Sequence, residues 1–274
     1  MHPRVKAAMS RADELLRAPW RPVSKDGRAR ARFVAIGDLQ SSFEHVARIL
    51  HNHSLLGGDG HLAPEVFLIS VGDHYDYSGG AIEEVGLEGQ KILRWLAAHP
   101  PDQVVLLAGN HDLSRVQELA LQTDATFAEA RRLARTAEEL RKKESKSPAD
   151  ERAHEEAVAR FHEAYPDLAT PELADRDYAT FTAEQQRLVQ ALLVAKRLRL
   201  AHVGRTKEGA EILFTHAGVN RHDLSLLGGP REEPRAVAAA LNAFLDAAVA
   251  KAAPAWARGE RVALDLAPLH VFGR

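Results

Sequence analysis

Short apolar runs alternate with amphipathic stretches along most of the chain, and that alternation predicts its elements. Residues 5–17 place Val5, Ala8, Met9, Ala12, Leu15 and Leu16 at helical spacing, and Pro19 and Pro22 end that helix. Residues 24–30 read as a polar linker. Residues 33–36 form a first buried strand. Residues 43–50 form a helix with Phe43, Val46, Ala47, Ile49 and Leu50 on one face, capped by Ser41 or Ser42. A glycine-rich turn at 57–60 leads to a second strand at 66–71, and Ile92, Leu93, Trp95 and Leu96 belong to the helix after it. Pro100 and Pro101 stop that helix before a third strand, VVLL, at 104–107. The order strand, loop, helix, strand predicts a largely parallel sheet flanked by helices.

From 124 to 197 the pattern changes to a segment rich in Ala, Glu, Arg and Lys with no strand-like run. Residues 153–165 and 184–197 read as helices, and the whole segment as a helical insertion. Residues 198–203 and 211–215 then read as two strands joined by a turn at 204–209, residues 235–251 as an Ala-rich helix, and 262–272 as one or two short strands. The expected organisation is a leader helix and linker (1–30), an α/β domain in two pieces (31–123 and 198–274), and the insertion as a possible cap. No internal repeat is present.

Composition narrows the chemistry. The chain of 274 residues has no cysteine, which excludes disulfides, thiolate zinc sites and cysteine nucleophiles. The net charge of −2 offers no polybasic surface and weighs against long nucleic acid as a partner. Residues 1–22 hold no apolar run long enough for a signal peptide or membrane span, so the expectation is a cytoplasmic protein without a membrane partner. Neither a phosphate-binding GxxxxGK[ST] loop nor a GxSxG nucleophile turn is present.

The candidate chemistry lies at strand tips, where open α/β folds place it. The first strand delivers Gly37, Asp38 and Gln40, and the second Gly72, Asp73 and Asp76. The third delivers Gly109, Asn110, His111 and Asp112, and the strand at 211–215 delivers His216 and Gly218. A carboxylate, amide and imidazole set of this kind suits Mn, Fe or Zn. Two such ions about 3.5–4 Å apart form a clamp for displacement at phosphorus and need a bridging carboxylate, for which Asp73 is the candidate. A glycine beside each candidate ligand lets the chain turn sharply and a phosphate approach.

The series GD-x-Q, GD-x-x-D, GNHD and HAG resembles the calcineurin-like metallophosphoesterase superfamily, whose series is GD-x-H, GD-x-x-D, GNH(D/E), a lone His and a final Gly-His. The match runs from about 33 to 218, with the insertion unmatched. The FTHAG form at 214–218 is closer to the phosphoprotein-phosphatase and Shewanella-like branches. The resemblance implies a layered sandwich fold, two divalent metal ions (Mn, Fe or Zn) and hydrolysis of a phosphorylated small molecule or phosphoprotein, most simply a monoester. It implies Asp38 and Gln40 on the first metal, Asp73 bridging, and Asn110 and His216 on the second. A metal-bridging hydroxide would attack phosphorus, and His111 would protonate the leaving oxygen, oriented by Asp76 or Asp112. The alternatives are a phosphodiesterase or nuclease, and a non-catalytic binding module.

Three places depart from the family pattern. Gln40 replaces a His, which predicts a first metal site that is loosely held or leans to Mn or Mg. Tyr77 replaces the Arg that would contact phosphate, leaving Arg115 and Arg221 as candidates. The final Gly-His is absent: either His270 takes its place, or that ligand is lost, or the sequence stops short of it. Other histidines read as structural. His74 and His202 are expected to pack, and His51, His53 and His61 to lie on the surface. His154-Glu155 lacks the second His of a zincin motif, with Val158 in its place.

Overall fold

The structure, a computed structural model, describes residues 1–77, 79–143, 147–226 and 233–266. Its first helix, α1 (Pro3–Arg17), starts where the His2 ring accepts the Arg4 N–H at 3.2 Å, and it buries Val5, Ala8 and Ala12. The central sheet follows. Strand β1 (Arg32–Ile36) runs parallel to β2 (Val66–Ser70), β2 to β3 (Val104–Leu107), and β3 to a two-residue β4 (Leu198–Arg199), in the order β1-β2-β3-β4. The register pairs Phe33 with Phe67, Leu68 with Val104 and Leu106 with Leu198. Because the sheet is parallel, the C-terminal tips of β1, β2 and β3 open on the same edge.

Helices α2 (Phe43–Asn52), capped by Ser42, and α3 (Ile82–Ala97) cover one face together with α1. Phe43 meets Trp95 edge-on at 5.5 Å, and the Trp95 indole N–H donates to the Gly60 carbonyl at 2.9 Å, which satisfies its buried polar end. The other face carries Ile69, Val105 and Leu107, packed by Phe67 and by Phe214 of a two-stranded antiparallel ribbon, β5 (Ala201–Arg205) and β6 (Glu211–Thr215).

The run expected as one strand at 198–203 is divided between two sheets. Residues 198–199 extend the parallel sheet and 201–205 pair with β6. A side chain makes the break possible: Asn242 Oδ1 accepts the backbone N–H groups of Leu200 and Ala201 at 3.0 and 3.2 Å, and its Nδ2 donates to the Ala201 carbonyl. Asn242 lies on α9 (Pro234–Ala257), which follows α4 (Asn110–Leu113), α5 (Asp124–Arg141), α6 (Pro148–Ala164), α7 (Ala183–Val194) and α8 (Arg221–Leu226) in the chain. By length and apolar content α9 would suffice to cross a membrane; here Val237, Leu241, Leu245, Val249 and Ala252 are buried within the protein.

The segment after Asp124 is helical, and packing divides it. Helices α5 and α6 form a hairpin with a core of its own, in which Phe127, Ala130, Ala134, Phe161, Leu168, Tyr178 and Phe181 are buried. A π-helical turn, Leu173–Asp177, connects that core to α7. Helix α7 itself belongs to the main core through Leu188, Val189, Leu192 and Leu193. Of the strands expected at 262–272, residues 262–266 are irregular, with Leu264 and Leu266 buried. The remainder, His270 included, lies outside the described residues.

Candidate metal centre

The loops after β2 and β3 are wound tightly against each other. Gly72, Asp73 and Asp76 all have positive φ, at 111°, 50° and 63°. Aspartate tolerates that conformation at a cost that regular structure avoids. A Cβ on Gly72 would lie 2.6 Å from the Gly109 nitrogen, and one on Gly109 would lie 2.0 Å from Asp73 Oδ1. A Cβ on Gly37 or Gly218 would meet open space, so the close approach is confined to Gly72 and Gly109. Gly109→Ala is therefore predicted to push Asp73 out of place. Its measurement is metal affinity beside thermal unfolding: affinity should fall even where the fold persists, and unchanged affinity would contradict the close approach.

Asp112 clasps the two loops. Its carboxylate is fully buried and accepts the backbone N–H groups of Asp73 (3.0 Å), His74 (3.2 Å) and Gly109 (2.9 Å). The His74 Nδ1 stands 3.0 Å away, and His74 Nε2 meets Ser70 Oγ at 2.8 Å. Burial opposes the charge of Asp112, yet His74 and these N–H donors hold its pKa below the usual carboxylate value. His74 packs, as expected. Asp112 is a structural clasp in this geometry, and the alternative in which it orients the His111 ring is not the arrangement found.

Asp38, Asp73 and His216 bring ligand atoms within 4.8 Å of one another. The His216 Nδ1 lies 2.9 Å from the Val71 carbonyl; a carbonyl only accepts, so Nδ1 carries the hydrogen. That leaves Nε2 facing Asp73 Oδ2 at 3.3 Å and Asn110 Oδ1 at 3.2 Å. Fixing one ring nitrogen on a carbonyl and freeing the other is how metal-binding histidines are oriented. The facing atoms are acceptors drawn from two carboxylates, an amide and an imidazole, and such a donor set fits a divalent cation of the Mn, Fe or Zn kind. The same surroundings favour a proton: the bond to Asp73 pushes His216 up to about 9, against the effect of burial. Gln40 is half-buried, two residues beyond the exposed Asp38.

Beside this cluster stands a second network. The His111 backbone N–H donates to Asp73 Oδ1 at 3.0 Å, and its ring Nδ1 meets Asp76 Oδ2 at 2.9 Å. The same Asp76 oxygen accepts Arg115 Nη1 at 2.6 Å, while Oδ1 accepts the Thr180 hydroxyl at 2.6 Å and the Thr180 N–H at 3.2 Å. Burial alone would raise the Asp76 pKa; the Arg115 charge and these donors outweigh it and hold it at about 2. Burial likewise pulls His111 down, and Asp76, with help from Asp73, reverses it to a raised pKa. Arg115 is not placed to touch a substrate. It is fully buried, bonded to Asp76, the His111 carbonyl, Gln185 and Thr180, with Tyr75 4.6 Å below its guanidinium. Arg221 is exposed at the start of α8.

Two residues that sequence reasoning missed complete the site, and both come from the insertion. Thr180 bonds Asp76, which lies 104 residues earlier. Tyr178 places its ring edge-on to His111 at 5.3 Å and 83°. Neither carries a motif; the nearby Thr182–Gln185 capping box marks the start of α7 and nothing more. Among the other histidines, His202 lies against Phe67, His51 stacks on His2, and His61 meets His99. A cleft of about 280 Å³ opens beside Asn110 and His216, walled by Leu113, Leu200, Val219 and Leu241.

The model of the calcineurin-like phosphoesterase family matches residues 31–243, well over half of the chain. That span holds the four motif loops, the insertion and the start of α9. No curated protein and no solved structure gives a match. Metal-dependent phosphoester hydrolysis is the chemistry of that family, and an Asp-His cluster at the tips of a parallel sheet is where such chemistry would sit here. By the extent of this match the chain belongs to the calcineurin-like phosphoesterase family.

Proposed function

We propose that the chain hydrolyses phosphate monoesters with two divalent metal ions. The observation that carries this reading is the acceptor cluster of Asp38, Asp73 and His216 placed against the His111–Asp76 pair. Asp38 and Gln40 would hold one ion, Asp73 both, and Asn110 and His216 the other. When bound, the ions neutralise phosphate charge and make water acidic enough to serve as nucleophile near neutral pH.

The chain's own groups do the rest. His111 is half-buried and its Nδ1 is occupied by Asp76, so the imidazolium presents its Nε2–H to the leaving oxygen. Proton transfer from Nε2 leaves a neutral ring whose Nδ1–H stays on the Asp76 carboxylate. Arg115 keeps that carboxylate ionised throughout. The α5–α6 hairpin, whose core extends to Tyr178, borders the site, and we assign it the setting of substrate choice.

The test compares p-nitrophenyl phosphate with bis-p-nitrophenyl phosphate in saturating Mn. The reading expects faster turnover of the monoester. Faster turnover of the diester would make the chain a phosphodiesterase, and no turnover of either with metal bound would make it a binding module.

A further inference from the structure

Asp76 lies in the left-handed region at φ 63°, a conformation that persists only where the surroundings fix it. Its Oδ2 is shared between His111 Nδ1 at 2.9 Å and Arg115 Nη1 at 2.6 Å. Its Oδ1 takes two bonds from one residue of the insertion, the Thr180 hydroxyl at 2.6 Å and the Thr180 N–H at 3.2 Å. The direction of the hydroxyl follows from its neighbours. Arg115 Nη2, 3.2 Å away, can only donate and the carboxylate can only accept, so the Thr180 hydrogen points to Asp76. Thr180 is buried, and its carbonyl accepts Gln185 Nε2 at 2.8 Å. Gln185 is fully buried on α7, and its Oε1 accepts Arg115 Nε at 3.2 Å. Thr180, Gln185, Arg115 and Asp76 thus close a ring of hydrogen bonds in which both carboxylate oxygens are pinned.

We propose that Thr180 is a positioning residue for the acid group: its hydroxyl and N–H hold the Asp76 carboxylate against rotation, so that Oδ2 stays in line with His111 Nδ1 and the far nitrogen, Nε2, stays aimed at the leaving oxygen. The proposal rests on the phosphoesterase reading above. When the ester P–O bond breaks, its electron pair goes to the leaving oxygen, which takes the Nε2 proton. The need for that proton grows as the leaving alcohol becomes less acidic. A carboxylate free to swing takes the His111 ring with it, and the cost falls on the esters that depend on the proton. The insertion then belongs to the reaction apparatus as well as to substrate choice.

The test compares phenyl phosphate, whose leaving oxygen needs the proton, with 2,4-dinitrophenyl phosphate, whose leaving oxygen departs as a stable anion. Both are followed in saturating Mn for wild type, Thr180→Val and Thr180→Ser. Thr180→Val keeps the N–H and the shape and loses the hydroxyl. Its kcat on phenyl phosphate should fall about tenfold, part of the roughly hundredfold or more that a positioned acid contributes. Its kcat on the dinitrophenyl ester should stay near wild type. Thr180→Ser regains the hydroxyl and should restore the phenyl phosphate rate. A second readout needs neither substrate nor metal. In chain labelled with 15N-histidine, the His111 Nδ1–H resonance is identified by its loss in His111→Gln. It should be protected from exchange with water in wild type and Thr180→Ser, and broadened away in Thr180→Val. Should Thr180→Val not fold, Thr180→Ala, which brings no branched carbon against Arg115, carries the same comparison. Equal losses on the two esters overturn the proposal, as does an undiminished phenyl phosphate rate. So does a Thr180→Ser chain that fails to restore that rate, or an Nδ1–H resonance that persists in Thr180→Val. A wild-type chain that hydrolyses neither ester with Mn bound overturns the phosphoesterase reading instead, which keeps the two failures distinct.

Discussion

Asp73→Asn is expected to lower hydrolysis by about a thousandfold, roughly 4 kcal/mol of transition-state stabilisation. The substitution is nearly isosteric, and an Asn oxygen still accepts the His111 N–H that Asp73 Oδ1 now takes at 3.0 Å. What disappears is the carboxylate charge between Asp38 and His216, on which the proposed holding of two cations would depend. The variant should therefore fold and fail to bind metal. The pH dependence of stability in chelator gives a second readout. His216 is raised to about 9 in the folded chain, chiefly by Asp73, from an ordinary 6.5. A raised pKa contributes stability that is complete below pH 6.5 and is lost as pH rises through 9. Metal-free wild type should lose that increment across this window, and Asp73→Asn should lack it. A variant that kept near-wild-type activity would remove Asp73 from the centre of the account.

Asp76→Asn is expected to combine a large loss of stability with a change in pH profile. Arg115 has no exposed surface, and Asp76 is its charge partner at 2.6 Å. Removing one partner of a buried pair costs about 3–5 kcal/mol, because the other charge remains buried without compensation. The wild-type carboxylate, held at about 2 from an ordinary 3.8, contributes stability above pH 4 that is lost as pH falls towards 2. Asp76→Asn should lack this acid-induced loss. His111 would also lose the group that raises its pKa, so the alkaline limb of kcat should move to lower pH. Combining Asp76→Asn with Arg115→Met removes the stranded charge and should restore part of the stability without restoring the pH profile. Recovery of both together would mean that Asp76 acts only by holding Arg115.

The parts readable from the sequence share one property: they are encoded locally. Val104 to Leu107 are four buried residues in a row, and the polar tip that follows had to emerge at the strand's end. The faces of α1 and α2 follow from helical spacing, and the parallel order follows from the alternation of strand and helix. The family motifs lie in these same loops, which is why the sequence already points to Asp38, Asp73 and His216 as one cluster.

The parts that escaped depend on partners far along the chain. The division of 198–205 between two sheets turns on the amide of Asn242, about 40 residues later. Asp76 and Asp112 look alike in sequence; one faces Arg115 and His111, and the other faces His74 and three backbone N–H groups. Arg115 looked like a candidate for phosphate because an arginine beside a motif carries no sign of its burial. Tyr178 and Thr180 reach the site through the packing of the insertion, which no local pattern announces.

In the proposed reading the strand tips hold a pair of metal ions. The most direct measurement is the metal content of the purified chain after equilibration with excess Mn and removal of the unbound ion. The account predicts about two Mn per wild-type chain, the dinuclear clamp of phosphoryl chemistry, and a loss of both in Asp73→Asn. A wild-type chain that retains one ion or none, with the same content in Asp73→Asn, would contradict it.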